Sequence, residues 1–227
     1  MPKPLLLLHG ALGSAENFTP FQQELAPHFT VHSFDFIGHG SSPAQAFSME
    51  SLAAQLEAFI QAEQLQQADV FGYSMGGYVA LSLAQRAPDL LGTIICLGTK
   101  LAWSQEYAEA EVKNLQPDKI LEKVPRFAAY LSKLHGDKEW SLLLQHTAAM
   151  MLQLGAEPVL SAPKSRAITN TVHLLRGEHD KMVTQEETAD FAAVLPSGQW
   201  HSLPNTPHQI ERVNTTVLTQ KIRSLLL

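Results

Sequence analysis

The stretch Val70-Phe71-Gly72-Tyr73-Ser74-Met75-Gly76-Gly77-Tyr78 constrains the fold more than any other. An apolar run of strand character stops at a serine flanked by glycines, and a helix-like pattern begins at once. A hydroxyl on so sharp a bend projects clear of its neighbours. Gly72 and Gly76 have no Cβ, so strand and helix can close on one another around Ser74. This G-x-S-x-G run is the pattern of a nucleophile elbow. At ordinary residue frequencies a chain of this length shows it by accident roughly 0.08 times. The competing reading is a Gly-rich turn whose serine caps the next helix, and the rest of the chain has to separate the two.

With 227 residues, the chain is long enough for one domain carrying an insertion. A hydrophobic content of 45% supplies an ordinary core, and a net charge of −6 argues against nucleic acid or an anionic membrane as partner. The only cysteine, Cys96, follows Ile94 and Ile95 and reads as a buried, inert thiol. Leu5 to Leu8 is too short for a secretory leader, and no run reaches transmembrane length, so a cytoplasmic protein without membrane insertion is expected.

In chain order, strands are predicted at Leu5–Leu8, Phe29–Phe34, Ala68–Tyr73 and Leu91–Leu97. Helices are predicted over Asn17–Ala26, from Ser48 or Ser51 onward, and over Gly76–Arg86. Such alternation implies an α/β fold with a mostly parallel sheet, helices on both faces and sites beyond the carboxyl ends of the strands. His9, Asp35, Ser74 and Gly98-Thr99 all fall at those ends. The pattern then breaks into helical segments around Trp103–Leu115, Pro125–Leu134 and Glu139–Leu154. Residues 100–168 are read as an inserted helical cap, with 1–99 and 169–227 as the core; ordinary core helices of one larger domain are the alternative. Strand pattern resumes at Thr169–Leu175 and Gln199–Leu203, about six strands in all, and a helix closes the chain.

A serine hydroxyl needs a proton acceptor beside it to attack a carbonyl. Among ten histidines, His208 is best placed, in the loop after the last predicted strand, where its other reading is a first-turn residue of the final helix. His9 and His39 sit in Gly-rich turns that suit packing or backbone hydrogen bonding. The acid that orients the base is assigned to Asp180, four residues past a strand ending at Leu175-Arg176, with Glu178 and His179 as rivals. The order Ser74, Asp180, His208 is the one expected of a triad on such a sheet. Oxyanion donors are expected from the backbone N–H groups of Met75 and Ala11. No H-E-x-x-H, cysteine pair or calcium-type loop occurs, so neither metal nor cofactor is expected.

The motifs His9-Gly10-x-x-Gly13, Asp35-x-x-Gly38-His39-Gly40-x-Ser42, Gly72-Tyr73-Ser74-Met75-Gly76-Gly77, Gly177-x-x-Asp180 and Pro207-His208 together resemble the α/β-hydrolase superfamily, in its serine-nucleophile branch with a helical cap. The resemblance covers essentially the whole core. It implies the fold and not one reaction, since esterases, thioesterases, C–C bond hydrolases, perhydrolases and non-catalytic receptors share it. Ser74 stands where dehalogenases and epoxide hydrolases of this fold carry aspartate. The elbow is also similar to that of the menaquinone-pathway synthase that eliminates pyruvate, but Tyr78 replaces that family's usual arginine. Only eight residues precede His9, so the sheet is shorter than the family's and has an edge for which a second subunit is one candidate cover.

The expected activity is hydrolysis of an ester or thioester of a small, largely uncharged or apolar molecule. The alternatives are a C–C bond hydrolase, a pyruvate-eliminating synthase, or a weakly catalytic ligand-binding protein. Trp103, Tyr107, Phe127, Tyr130, Trp140, Met150 and Met151 offer the cap's aromatic and soft apolar surface to substrate. Each of them equally suits burying the cap on itself.

Overall fold

Leucine favours helix by only a few tenths of a kcal/mol, whereas burying one leucine side chain gains about 2 kcal/mol. Burial wins. In the computed structural model, which describes residues 2–137 and 139–227, Leu5, Leu6, Leu7 and Leu8 are fully buried in a strand. That strand is β1 (Lys3–Leu8), in a sheet with β2 (Phe29–Ser33), β3 (Ala68–Tyr73), β4 (Leu91–Leu97), β5 (Val172–His179) and β6 (Gly198–Pro207). The order is β2-β1-β3-β4-β5-β6 and every pairing is parallel.

The helices are α1 (Thr19–Leu25), α2 (Met49–Ala62), α3 (Met75–Arg86), α4 (Gln105–Val112), α5 (Pro117–Lys123), α6 (Pro125–His135), α7 (Glu139–Ala156), α8 (Ala162–Ser165), α9 (Gln185–Val194) and α10 (Thr215–Leu226). Alternate strand residues point to opposite faces. Leu6, Leu8, Val70, Ile94 and Cys96 therefore share a core with α2, α3 and α9, while Leu5, Leu7, Phe71, Ile95 and Leu97 share another with α1 and α10. Both faces are covered, which is why the strands read as unbroken apolar runs.

Between β4 and β5 the chain is helical, from α4 to α8. Part of this segment makes its own small core of Ile120, Ala128, Leu131, Trp140 and Leu144. The helix α5 lies where the sequence suggests only a break, because Pro117 occupies the helix's first turn, where a missing N–H costs nothing. Of the two candidate caps for α2, Ser48 holds the position, and its hydroxyl accepts from the Ser51 N–H. No helix among the described residues is long and apolar enough to cross a membrane.

The sheet differs from the sequence expectation at its far edge. β5 and β6 run on past Leu175 and Leu203, through an irregularity between Gly177 and His179, until His179 pairs with Pro207. Gly177, Pro204 and Pro207 hide this extension in the sequence. An edge strand tolerates proline because one side of its ladder is unpaired. As a result Asp180 and His208 each stand one residue beyond the end of adjacent strands.

Candidate active site

Ser74 joins β3 to α3 at φ 50° and ψ −113°, a conformation that a residue with a Cβ adopts at a cost of about 1–3 kcal/mol. Its surroundings hold it there. The Ser74 N–H donates to the Leu97 carbonyl at 2.8 Å. The Ser74 carbonyl accepts from the Gly77 N–H at 3.1 Å and from Thr99 Oγ1 at 3.0 Å. A Cβ on Gly76 would overlap the Leu8 carbonyl, so α3 can start this close to β1 only with glycine there.

At the ends of β5 and β6, His208 Nδ1 and Asp180 Oδ2 are 2.7 Å apart, with side chains 9% and 1% exposed. Asp180 Oδ1 accepts from the N–H groups of Met182 (2.8 Å) and Val183 (3.0 Å). Arg176 fixes the same turn by donating to the carbonyls of Val183 and Asp180. Burial alone would push the Asp180 carboxyl up. The hydrogen bond and charge of His208, with the two backbone donors, outweigh it and hold the group below its ordinary 3.8. A carboxylate facing Nδ1 keeps the proton on that nitrogen and leaves Nε2 as an acceptor.

Gly98 borders the His208–Asp180 pair, and Tyr73, next to Ser74 in the chain, borders His208. Gly98, at φ 60°, follows β4, and a Cβ there would lie 3.1 Å from Asp180 Oδ2 and 3.2 Å from His208 Nδ1. The Tyr73 ring sits 5.6 Å from the His208 ring, and a Cβ on Gly10 would meet that tyrosine and, at 3.2 Å, Ser74 Cβ. Among the described residues no hydrogen bond joins Ser74 Oγ to His208. Without substrate such contacts are commonly long, and they tighten when it binds.

Met75 and Ala11 both line the space beside Ser74. Met75 opens α3, and Ala11 lies in the loop after β1. Asp35 fixes that loop from one side, accepting from the N–H groups of Ala15 and Ser41. His135 of α6 fixes it from the other. Its Nδ1 accepts from the Gly40 N–H, so Nε2 carries the proton and donates to the Leu12 carbonyl at 3.0 Å. His9 and His39 do backbone work as expected: His9 Nε2 accepts from the Phe36 N–H, and His39 Nδ1 donates to the Ile37 carbonyl.

Ser74 opens on a cavity of about 40 Å³, lined by Ala11, Met49, Met75, Tyr78, Lys100, Trp103, Met150 and Met151. Three of the seven cap residues singled out in the sequence are thus beside it. The other four lie elsewhere. Tyr107 packs edge-on against Trp103, and its hydroxyl reaches the Met182 carbonyl at 3.5 Å. Phe127 stacks on Tyr130, which lines a separate cleft of about 290 Å³ with Asn17, Phe21 and Ile210. Trp140 is buried in the small helical core.

Sequence reasoning placed Thr99 at a strand end without a role, noted Tyr78 only as a departure from the related family's arginine, and did not single out Met49 or Lys100. Tyr78 was within reach, since four residues past Ser74 is one helical turn. Its hydroxyl accepts from the Leu160 N–H at 3.1 Å, and burial pushes it up to about 12. Lys100 is neutralised by Glu187 at 2.5 Å, a partner 87 residues away that no local pattern shows.

A family model for the alpha/beta hydrolase fold matches residues 3–148. Over 122 residues the chain is 32% identical to a Cyberlindnera fabianii protein named "Probable alcohol acetyltransferase", a match covering 50% of this chain but only 33% of that protein. The chain thus spans about a third of that relative's length. It is 20% identical over 98% of its length to 2-(acetamidomethylene)succinate hydrolase of Mesorhizobium japonicum, covering 87% of that enzyme. In three dimensions it is similar to NosK from Streptomyces actuosus, with a TM-score of 0.84, 19% identity, and 99% and 97% of the two chains covered.

Proposed function

The chain belongs to the alpha/beta hydrolase family, and within it we propose a serine hydrolase that cleaves an ester or thioester of a small, uncharged acyl group. The observation that carries this reading is the buried 2.7 Å His208–Asp180 pair at the same sheet end as a strained serine. Strained backbone of this kind clusters at active sites, and nucleophilic acyl transfer needs a hydroxyl served by a base that a third group orients.

In the proposed reaction, Ser74 Oγ bonds to the substrate carbonyl carbon while its proton passes to His208 Nε2. The carbonyl electron pair moves to oxygen, where the N–H groups of Met75 and Ala11 stabilise the oxyanion. The intermediate collapses, the bond to the leaving oxygen or sulfur breaks, and His208 returns its proton to that atom. Water then bonds to the acyl carbon and gives a proton to His208, the bond from that carbon to Ser74 Oγ breaks, Oγ takes the proton back from His208, and the carboxylic acid leaves. Asp180 holds the imidazole tautomer and balances its transient charge.

Attack on the acyl-enzyme by an alcohol in place of water is the second reading, favoured by the similarity to the Cyberlindnera fabianii protein named "Probable alcohol acetyltransferase". The test of the first is Ser74→Ala. Loss of p-nitrophenyl ester turnover and of fluorophosphonate labelling is the expected result, and full activity in that variant overturns the assignment.

A further inference from the structure

Gly10 to Gly13, just after β1, form a tight turn closed by the Gly13 N–H, which donates to the Gly10 carbonyl at 3.1 Å. Ala11 and Leu12 are its central residues, and Leu12 has φ 62°. A positive φ at the second central position suits glycine or asparagine. A leucine there is strained, and contacts from outside the turn have to hold it. Leu12 packs against both the sheet core and the small core of the helical segment.

Two histidines grip this turn by its carbonyls. His9 Nε2 accepts from the Phe36 N–H, so Nδ1 carries the proton and donates to the Gly10 carbonyl at 2.8 Å. That carbonyl and the Ala11 N–H belong to one planar peptide group, so fixing the first aims the second. At the other end, the Leu12 carbonyl accepts from His135 Nε2, 123 residues away at the end of α6. His135 is buried, and its Nδ1 accepts from the Gly40 N–H at 2.8 Å. Both ring nitrogens thus serve backbone groups of core loops, whereas a side chain present only to fill space would have no polar atoms to satisfy.

Resting on the hydrolase reading above, we infer that His135 is a positioning residue for the reaction. Through the Leu12 carbonyl it holds the turn that presents the Ala11 N–H to the oxyanion, so the inserted helical segment completes the oxyanion hole. A donor of this kind is felt where negative charge develops, in the transition state rather than in the bound substrate. Losing one outright lowers kcat about 10²–10³-fold. A turn released at one of its two grips is expected to lose about 10-fold or more, with KM little changed.

The test compares the wild type with His135→Gln and His135→Asn. Glutamine offers an amide N–H at the reach of Nε2 and keeps the donor to Leu12. Asparagine, one carbon shorter, keeps an acceptor for the Gly40 N–H and falls short of Leu12. The readouts are kcat and KM on p-nitrophenyl acetate, inhibition by a trifluoromethyl ketone, whose adduct with Ser74 carries the oxyanion, and fluorophosphonate labelling of Ser74. His135→Asn is expected to lose about 10-fold or more in kcat and in ketone affinity with KM within about 3-fold, while His135→Gln stays within about 3-fold of the wild type on all three. If His135→Asn fails to fold by circular dichroism, His135→Phe, which fills the ring's space without either bond, takes its place under the same criteria. A folded variant with undiminished kcat, a loss confined to KM, or a His135→Gln as slow as His135→Asn overturns the role of His135 while wild-type Ser74 still labels. No ester cleavage by the wild type together with an unlabelled Ser74 overturns the hydrolase reading, and the role of His135 with it.

Discussion

His208 Nδ1 and Asp180 Oδ2 are 2.7 Å apart because β5 and β6 run parallel past an irregularity and end side by side, each one residue short of its half of the pair. Asp180→Asn keeps the shape but offers the ring an amide in place of a carboxylate, which permits the wrong imidazole tautomer. The expected loss in kcat is about 10³–10⁴-fold, with KM changed little. Steady-state kinetics on a turned-over ester measure it, and a loss under 10-fold would remove Asp180 from the proposed mechanism.

Gly98 has φ 60°, and a Cβ built on it would stand 3.1 Å from Asp180 Oδ2 and 3.2 Å from His208 Nδ1. Gly98→Ala is expected to cost about 1–2 kcal/mol of stability from the backbone alone. Its methyl group also requires Asp180 Oδ2 or His208 Nδ1 to give by a few tenths of an ångström, so kcat is expected to fall beyond what lost stability explains. Urea unfolding and kcat, measured on the same preparation, separate the two effects. A stable variant of undiminished kcat would show that the packing around Gly98 does not position the pair.

Glu187 gathers Lys100 Nζ, the Leu101 N–H and its own helix cap at Thr184, and so ties α9 to the start of the helical segment after β4. Glu187→Ala leaves a mostly buried ammonium and a buried amide without their acceptor. A loss of about 3 kcal/mol is expected, since breaking a buried pair from one side strands the other charge. Chemical denaturation checks this, and a change below 1 kcal/mol would contradict it.

Acid should weaken the fold from pH 6.5 downward, through histidines that burial holds neutral. Burial holds His9 down to about 4 from 6.5, and holds His39 well below 6.5 as well. Above pH 6.5 these rings are neutral whether the chain is folded or not. As pH falls below 6.5 the unfolded chain takes up protons that the folded one refuses, so stability declines down to about pH 4. For His9 alone that decline is about 3 kcal/mol. His135, His173 and His201 are lowered too and act in the same direction. Urea midpoints at pH 7, 5.5 and 4.5 measure the slope; equal midpoints would contradict the buried neutral state.

Much of the sheet could be read from residues because a parallel strand buried on both faces is an apolar run with sharp ends. Ala68–Tyr73 and Leu91–Leu97 coincide with the strands formed. The expectation was poorest where strands cease to be apolar. At Gly177 and Pro204, pairing between neighbours carries β5 and β6 beyond their hydrophobic stretches, and composition holds no trace of a partner strand. The cap residues divide for a related reason. Trp103, Met150 and Met151 look no different in sequence from Trp140, yet three line the Ser74 cavity and the last fills a helical core.

By itself the sequence determined the parallel sheet, the bend at Ser74 and the order in which a hydroxyl, a carboxylate and an imidazole arrive at strand ends. Those are local facts: a glycine pair that admits close approach, an apolar run, a residue following it. Tertiary structure decided which of these groups meet and how much room they enclose. The 2.7 Å pair joins residues 28 apart, and the Lys100–Glu187 contact that neutralises a cavity wall joins residues 87 apart. Distances of that kind depend on helices packed over a sheet, which no short stretch of sequence encodes.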